Sequence, residues 1–333
     1  MGTKLIIDTD IGTDIDDALA IVFALASPEL ELEGLTIVDG DVEARARMAS
    51  RLLGMAGRPD IPVVRGDGQP IAAGRMPTWM GHEGKGILDL DWQGAEAPIL
   101  DGHAADWLVE RSRAAPFRLA AIGPFTNVAR AVERDPGFAG RIEGLTVMGG
   151  MAHAETYIEG WQHFFAETGI DPAHMDHNTA SDLDAALRMA RAGFNTDWVT
   201  AELTFCTTLH RDAIGAFRDT GSALGACLAT MLDIWDRERF HFIPGFPDNP
   251  NPAPADAAAA LHDPLAIASI FGWPGLTMRP HHLTFSKDAT LFHMNEVAAG
   301  GEAVNNVSVA VDHAAFERFF VDRVTGFLRD LPS

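Results

Sequence analysis

The stretch KLIIDTDIGTDIDDA, residues 4–18, decides the fold and the chemistry of this 333-residue chain. Its apolar start, residues 5–7, predicts a buried parallel strand, and the apolar segment after Asp17 predicts a helix. Five aspartates lie within residues 8–17, and Gly12 permits a sharp turn among them. The carboxylates are therefore expected at the carboxyl end of a strand and the amino end of a helix, where open α/β sheets bind ligands.

The aspartates of residues 8–17 predict a metal site rather than a capped turn. One or two acidic residues at a helix N-terminus are ordinary, since each stabilises the helix by roughly 0.3–1 kcal/mol. Five in a single turn repel one another, and a hard divalent cation with oxygen ligands relieves that repulsion most simply.

Composition excludes several classes of function. The net charge of −22 disfavours nucleic acids and anionic membranes as partners, because both require a basic surface. Two cysteines, Cys206 and Cys227, are too few for a disulfide framework or a cysteine-based zinc site. They favour a reducing cytoplasm, and because strand residues follow Met1 directly, no signal peptide is expected. The longest apolar runs fall short of the roughly 20 residues that span a bilayer.

Alternating strands and helices predict an α/β fold. Short apolar strands are expected near residues 5–7, 32–38, 62–64, 117–122, 145–148 and 198–199. Helices are expected at 18–25, 42–55, 101–114 with Asp101 as cap, 128–134, 180–192 with Ser181 as cap, 224–240, an Ala-rich 255–270 with Pro264 starting or kinking it, and 314–328. This order indicates right-handed crossovers and a doubly wound, mostly parallel, Rossmann-like sheet. No repeat or composition break divides the chain, so a single domain over residues 1–333 is expected.

Polar clusters follow several predicted strands, and each has an ordinary structural interpretation when taken alone. They are Asp41, Thr126-Asn127, the segment 176–178, and His262-Asp263. Because the strand ends of a doubly wound sheet meet at one edge, these residues are expected to join the aspartates of residues 8–17 in one pocket.

Three of these motifs together resemble one family, the inosine–uridine type nucleoside N-ribohydrolases. The stretch DTDIGTDIDDA at residues 8–18 is similar to a longer variant of the family's aspartate-rich signature. The residues GPFTN at 123–127 and HDP at 262–264 resemble its two later motifs. They occur in the family's order, so the resemblance covers nearly the whole chain.

The resemblance implies a calcium-dependent hydrolase that splits ribonucleosides into ribose and free base, working as a homodimer or homotetramer. It implies one calcium ion with the ligands Asp10, Asp17, the Thr126 carbonyl and Asp263. Asp16 is implied as the base that takes a proton from the attacking water and also touches the substrate. The ribose hydroxyls would be bound by Asp41, Asp176 and Asn178. His262 would serve as, or help to place, an acid for the departing base.

Base recognition is expected from two further elements. His82 lies in a Gly-rich loop, and His241 follows Trp235 and Phe240 near the end of a helix. These resemble the family's two elements that close over the base, and aromatic faces stack bases by roughly 1–3 kcal/mol each. The ordinary alternative is that Trp235 and Phe240 are core residues at helical spacing.

The resemblance has departures. The first loop is two residues longer than the family's shorter signature, so Asp14 competes with Asp16 for the role of base. Asp41 and Asp176 stand where many members carry Asn and Glu. Ile170 falls near the place of a usual Asn, and residues 291–312 lack the family's usual C-terminal pattern.

Two other functions remain as alternatives. One is a relative that binds calcium and ribose but has lost turnover. The other is a haloacid-dehalogenase-type phosphatase that uses the Asp8-x-Asp10 pair as its nucleophile loop, although lysines are scarce: Lys4, Lys85 and Lys287.

Overall fold

The computed structural model describes residues 2–72, 79–152, 176–238, 256–297 and 303–333. The strands are β1 (Thr3–Thr9), β2 (Leu30–Ile37), β3 (Val63–Arg65), β4 (Ile99–Leu100), β5 (Arg118–Ala121), β6 (Gly144–Met148), β7 (Thr196–Val199), β8 (Thr208–His210), β9 (Ala257–Ala260), β10 (Leu276–Lys287), β11 (Phe292–Glu296) and β12 (Ala303–Val311). The helices are α1 (Asp16–Leu25), α2 (Val42–Met55), α3 (Ala104–Ala114), α4 (Thr126–Arg134), α5 (His177–Ser181), α6 (Leu183–Ala190), α7 (Ala201–Thr204), α8 (Asp212–Arg218), α9 (Ala223–Glu238), α10 (His262–Ile270) and α11 (His313–Arg329).

A ten-stranded sheet forms the centre, in the order β11-β10-β12-β7-β6-β5-β1-β2-β3-β4. The strands from β12 to β4 in this order run parallel, and β10 and β11 add an antiparallel edge. From β1 the chain builds one side through β2, β3 and β4, then crosses to β5 on the other side of β1. The order therefore reverses between β1 and β5, which is where such sheets bind ligands. The predicted doubly wound, mostly parallel α/β fold is confirmed.

β1 is buried on both faces, as its unbroken apolar sequence predicts. Leu5 and Ile7 belong to the hydrophobic cluster that contains α1, α10 and α11. Ile6 points the other way, into the cluster that contains α3, α4 and α6. Side chains of a strand alternate between its faces, so one apolar run anchors both helical layers.

Helix α1 lies in the interior of the protein. Residues 16–24 are all buried, and the Phe23 ring lies 5.3 Å from that of Phe320 and 6.1 Å, edge to face, from that of Phe316. This packing fixes the helix that starts with Asp16. None of the helices in the described ranges combines the length and apolarity needed to cross a membrane.

The Ala-rich segment before His262 is a strand, so the helix prediction for residues 255–270 is wrong in its first part. Ala257–Ala260 pairs antiparallel with Thr208–His210, and α10 begins only at His262. Alanine favours helices, but small side chains also fit a buried strand, and tertiary pairing overrides the local preference. Pro264 lies in the first turn of α10, where its missing N–H costs nothing.

Two predicted helix caps are displaced. His103, rather than Asp101, caps α3 by accepting a hydrogen bond from the Ala105 N–H at 3.1 Å. Asp182, rather than Ser181, caps α6, accepting from the Ala185 N–H at 3.0 Å, and its second oxygen accepts from the Thr126 hydroxyl at 2.8 Å. The Ile71 N–H donates to the same carboxylate at 2.7 Å. A buried carboxylate with three donors satisfies more polar groups than a half-exposed serine at the neighbouring position.

Asp312 caps α11 in the same way, because its Oδ1 accepts a hydrogen bond from the Ala315 N–H at 2.9 Å. Asp312→Ala should lower the free energy of unfolding by about 1 kcal/mol, because an orphaned helix donor loses its partner. Asp322→Ala, an exposed position within the same helix, is the matched control and should leave stability unchanged or slightly raised. Urea unfolding of both variants measures the difference, and equal midpoints would contradict the cap.

Candidate active site

The loop between β1 and α1, residues 10–15, and the residues flanking it place carboxylates at the sheet's reversal point. Asp10, Asp16 and Asp17 are each less than a tenth exposed. Helices α1, α4 and α10 all begin at this edge, at Asp16, Thr126 and His262. Helix N-termini carry partial positive charge, roughly +0.5 each, so three of them partly offset the buried negative charge.

Asp16, Asp17 and Asp263 converge, although they come from opposite ends of the chain. One carboxylate oxygen from each lies within 4.8 Å of the others. The Asp263 N–H donates to Asp16 Oδ2 at 3.3 Å, and the Asp17 N–H donates to Asp16 Oδ1 at 3.1 Å. The Thr9 hydroxyl donates to Asp17 Oδ1. Among the described residues, this is the group in which three carboxylates lie close enough together to hold one ion.

The carboxylates of this group are costly to ionise. Burial, together with the neighbouring aspartates, raises the pKa of Asp16, Asp17 and Asp263 well above the ordinary value. Burial also raises the pKa of the half-buried Asp14 to about 7. A divalent cation would stabilise their ionised forms, and a cluster of carboxylate oxygens is the donor set that hard cations prefer. The residues present therefore fit a bound metal ion.

Arg45 holds the loop between β1 and α1 in place through hydrogen bonds, a role that the sequence did not indicate. Its fully buried guanidinium donates to the carbonyls of Asp39, at 2.8 Å, and Ile11, at 3.0 Å, and also to the carbonyl of Asp10. It further donates to the Thr13 hydroxyl at 3.0 Å. Fork-shaped donors suit such a set of acceptors. The only sequence signal was an arginine within a helix predicted to cover the sheet.

Asp10 lies in a second group, with Asp39 and His177, whose ligand atoms also fall within 4.8 Å of one another. His177 Nε2 is 3.7 Å from Asp10 Oδ2. Burial lowers the pKa of His177, but the Asp10 and Asp39 carboxylates outweigh it and the pKa is raised. The Arg45 guanidinium, whose Nη2 lies 3.6 Å from Asp39 Oδ2, already supplies a positive charge to this group. Asp39 was also missed by sequence analysis.

The GPFTN turn of residues 123–127 packs directly against Asp10. A Cβ at Gly123 would come within 2.7 Å of Asp10 Oδ1, so only glycine fits there. Thr126 then opens α4, and Asn127 donates to Asp8 Oδ1 at 2.8 Å and to the Ile37 carbonyl at 3.0 Å. The turn thus lies against the loop that carries Asp10, and Asn127 links the end of β1 to the end of β2.

Asp176 and Asn178 lie at the ends of β5 and β6. Asp176 Oδ2 accepts from the Gly150 N–H at 2.7 Å and the Thr179 hydroxyl at 2.5 Å, while its buried Oδ1 has no hydrogen-bond partner among the described residues. Asn178 donates to the carbonyls of Ile122, at 2.8 Å, and Met148, at 3.2 Å. Both side chains are therefore fixed, and one acceptor oxygen is left over for a ligand.

Asp41 does not join this group. It is exposed and caps α2, accepting from the Ala44 N–H at 3.0 Å. The buried carboxylate near Asp10 is that of Asp39, two residues earlier, with its backbone at a φ of +67°. His241 lies outside the described residues.

The segment around His82 contacts the aspartate loop. His82 Nε2 donates to the Thr13 carbonyl at 2.7 Å, and the Thr13 hydroxyl donates to Glu83 Oε1 at 3.2 Å. The Trp235 ring lies 5.8 Å from that of His82. Trp235 is 7% exposed and belongs to the hydrophobic core cluster, as the ordinary alternative held, yet its ring reaches the His82 segment.

His262 is the first residue of α10, beside Asp263. Burial lowers its pKa to about 4, so its ring is neutral near pH 7. A neutral imidazole has one N–H donor and one acceptor nitrogen. Which nitrogen carries the proton therefore decides what His262 can do in the site.

The phosphatase alternative finds no support in this geometry. Asp8 is fully buried, and its Oδ1 accepts from Asn127 and from the Thr36 hydroxyl at 2.5 Å. Burial raises its pKa to about 7. Lys4 and Lys287 form ion pairs elsewhere, with Glu33 and Asp184. A carboxylate enclosed in this way is not accessible to a phosphoryl group.

The raised carboxylate pKa values predict how the metal-free protein responds to pH. An Asp whose pKa is higher in the folded than in the unfolded protein stabilises the fold when it is protonated. This stabilisation is complete below the pKa of the unfolded state, about 3.9, and is lost as the pH rises through the pKa of the folded state. For Asp8 and Asp14 the window runs from the unfolded value to about 7. Chelator-treated protein should therefore lose stability between about pH 4 and about pH 7.

Urea unfolding at several pH values, with and without a divalent cation, measures this effect. The cation should remove the loss, and Asp17→Asn should reduce it in the metal-free protein. A metal-free protein that becomes more stable across the same range would contradict the electrostatic description of the site.

Comparison with known proteins identifies the fold and the family. The family described as inosine-uridine preferring nucleoside hydrolase matches residues 5–319. A probable uridine nucleosidase 1 from Oryza sativa subsp. japonica is 27% identical over 308 residues, covering 89% of this chain and 83% of the rice protein. The pyrimidine-specific ribonucleoside hydrolase RihA of Salmonella typhi is 29% identical over 279 residues, covering 80% of this chain and 79% of that protein.

A solved structure agrees with this match at the level of the fold. The purine-preferring ribonucleoside hydrolase from Gardnerella vaginalis superposes with a TM-score of 0.79 at 24% identity, covering 98% of this chain and 99% of that chain. The resemblance drawn from the three sequence motifs is confirmed, and the phosphatase alternative is set aside.

Proposed function

The chain belongs to the inosine–uridine preferring nucleoside hydrolase family and is a hydrolase of N-glycosyl compounds, and we propose that it hydrolyses ribonucleosides with the help of one calcium ion. The observation that carries this proposal is the meeting of Asp16 and Asp17 with Asp263 at the sheet's reversal point. A buried group of carboxylates favours both a hard cation and the positive charge that develops on ribose as an N-glycosidic bond breaks.

We assign the calcium ligands to Asp10, Asp17, Asp263 and the Thr126 carbonyl. All four residues lie at the aspartate edge, and every donor is an oxygen, which suits calcium's six to eight ligands. Asp16 shares the oxygen group of Asp17 and Asp263, so it stands next to the same ion. A bound calcium ion would lower the pKa of a water molecule and help to orient the ribose hydroxyls.

Asp16 is proposed as the general base. Its two oxygens accept from the backbone N–H groups of Asp17 and Asp263, which fixes the carboxylate. A fixed carboxylate beside the metal ligands is within reach of the attacking water and can take its proton. Asp14, whose Oδ1 accepts from the Ile15 N–H at 2.6 Å, is the competing candidate.

The ribose is proposed to contact Asp176 and Asn178, with Asp41 as the third member implied by family resemblance. Asp176 offers a buried oxygen with no partner among the described residues, which suits a ribose hydroxyl donor. Asp41 is the weakest member, because its carboxylate already caps α2. The buried Asp39 is the better-placed carboxylate of that strand end.

The departing base is proposed to meet His262, His82, Trp235 and His241. Described contacts place His82 on the aspartate loop with Trp235 beside its ring. His262 stands next to a metal ligand and acts as a hydrogen-bond donor to the base. The relatives' names include both pyrimidine-specific and purine-preferring enzymes, so both classes of nucleoside are candidate substrates.

The proposal also places the enzyme in the cytoplasm, in nucleoside salvage, as a homodimer or homotetramer. The two free cysteines agree with a reducing compartment. The assembly follows from the family resemblance, and light scattering on the purified protein tests it.

A ribose-release assay on a panel of purine and pyrimidine ribonucleosides tests the function. Release should require calcium, stop with a chelator and return when calcium is restored. Asp263→Asn should lose both bound calcium and ribose release, whereas Asp322→Asn, exposed in α11, should keep both. Calcium and ribose binding without release would favour a relative that has lost turnover, and an active protein that holds no calcium would refute the metal assignment.

The choice between Asp16 and Asp14 is tested with matched Asn variants. Asp16→Asn should bind calcium and nucleoside normally but lower kcat by about two to four orders of magnitude, because the proton acceptor is lost. Asp14→Asn should mainly raise KM and leave kcat near normal, because the carboxylate that takes the proton is still present at Asp16. A large kcat defect in Asp14→Asn beside a near-normal Asp16→Asn would move the base two residues upstream.

A further inference from the structure

A threonine that has no role in the function proposed above contacts His262. Thr204 ends the short helix α7 and is fully buried. Its segment runs beside the one that leads into α10, since the Leu261 N–H donates to the Thr207 carbonyl at 2.6 Å. This pairing holds Thr204 Oγ1 2.7 Å from His262 Nδ1.

A second contact of the Thr204 hydroxyl indicates which acceptor it donates to. Thr204 Oγ1 also lies 3.2 Å from the Ala201 carbonyl, which already accepts from the Phe205 N–H at 3.0 Å. Of the two contacts of the hydroxyl, the one with His262 Nδ1, at 2.7 Å, is the shorter. The Ala201 carbonyl is satisfied without the hydroxyl, so the proton is better used on His262 Nδ1.

We propose that Thr204 is a positioning residue that donates to His262 Nδ1 and thereby keeps the ring proton on Nε2. The Phe205 ring, edge to face at a centroid distance of 4.8 Å, restricts rotation of the same imidazole. A neutral imidazole that accepts at one nitrogen must donate at the other. Thr204 therefore decides the tautomer of His262, and Phe205 limits its orientation.

This assignment rests on the proposed function for its catalytic meaning. Nε2 has no hydrogen-bond partner among the described residues, so its N–H is free to donate to the departing base. The base gains electron density as its bond to ribose breaks, and a donor placed in advance stabilises that charge. With the opposite tautomer, Nε2 would present a lone pair and would repel the same charge.

The tautomer is measured directly by ¹⁵N NMR of histidine-labelled protein near neutral pH, without any substrate. Protonated and lone-pair ring nitrogens differ strongly in chemical shift, and His262→Gln assigns the His262 signals. In the wild type Nε2 should be the protonated nitrogen. In Thr204→Val the Nδ1-protonated form should grow, and Thr204→Ser should restore the original signals.

Kinetics supply the second measurement. Thr204→Val should lower kcat about five- to tenfold, the effect of one lost hydrogen bond, with KM and calcium affinity changed less than about twofold. Thr204→Ser should recover most of kcat. The matched control is Thr207→Val, because Thr207 Oγ1 forms a similar contact with His313 Nδ1, at 3.0 Å, outside the site. That variant should leave kcat unchanged.

A wild-type His262 protonated on Nδ1, or ¹⁵N shifts that do not change in Thr204→Val, would overturn the proposal. A loss of kcat in Thr207→Val equal to that in Thr204→Val would also overturn it, since the effect would then be one of packing. If the tautomer is as proposed but no ribonucleoside is hydrolysed, the positioning role stands and the proposed function fails.

Discussion

Repulsion among buried carboxylates is the constraint on which the rest of this structure depends. Asp10, Asp16, Asp17 and Asp263 occupy one sheet edge, where burial and the charge of the neighbouring aspartates raise the cost of ionising Asp17 and Asp263. The fold offsets this cost with backbone N–H donors, three helix N-termini and the buried guanidinium of Arg45. These provisions hold the carboxylates close together without neutralising them. The remaining negative charge would favour a bound cation.

The same constraint explains how the chain is wound. Asp16 and Asp263 are 247 residues apart in sequence, yet the Asp263 N–H donates to Asp16. Their helices, α1 and α10, must therefore pack side by side with their N-termini level. The apolar surface of α1 supplies that packing, because almost every one of its residues is buried. The core thus positions the two carboxylates, and a change in its packing would displace them directly.

Particular residues show where sequence reasoning succeeded and where it stopped. The burial of β1, the convergence of Asp17 with Asp263, and the approach of the residue 123–127 turn to Asp10 followed from strand ends meeting at one edge. Arg45 and Asp39 were missed, because an arginine in a covering helix and an aspartate in a turn carry no distinguishing local pattern. Asp41 was expected in the pocket, but its carboxylate satisfies the open N-terminus of α2 instead.

The sequence by itself determined the α/β class, the position of the aspartate edge and the family, since apolar periodicity and three spaced motifs are local properties. Only the tertiary structure decided that Ala257–Ala260 pairs as a strand, that Arg45 lies beneath the aspartates, and that Thr204 contacts His262. These outcomes depend on which segments become neighbours across the fold. A residue's local preference is worth less than about 1 kcal/mol, and burial and pairing with a distant partner exceed it.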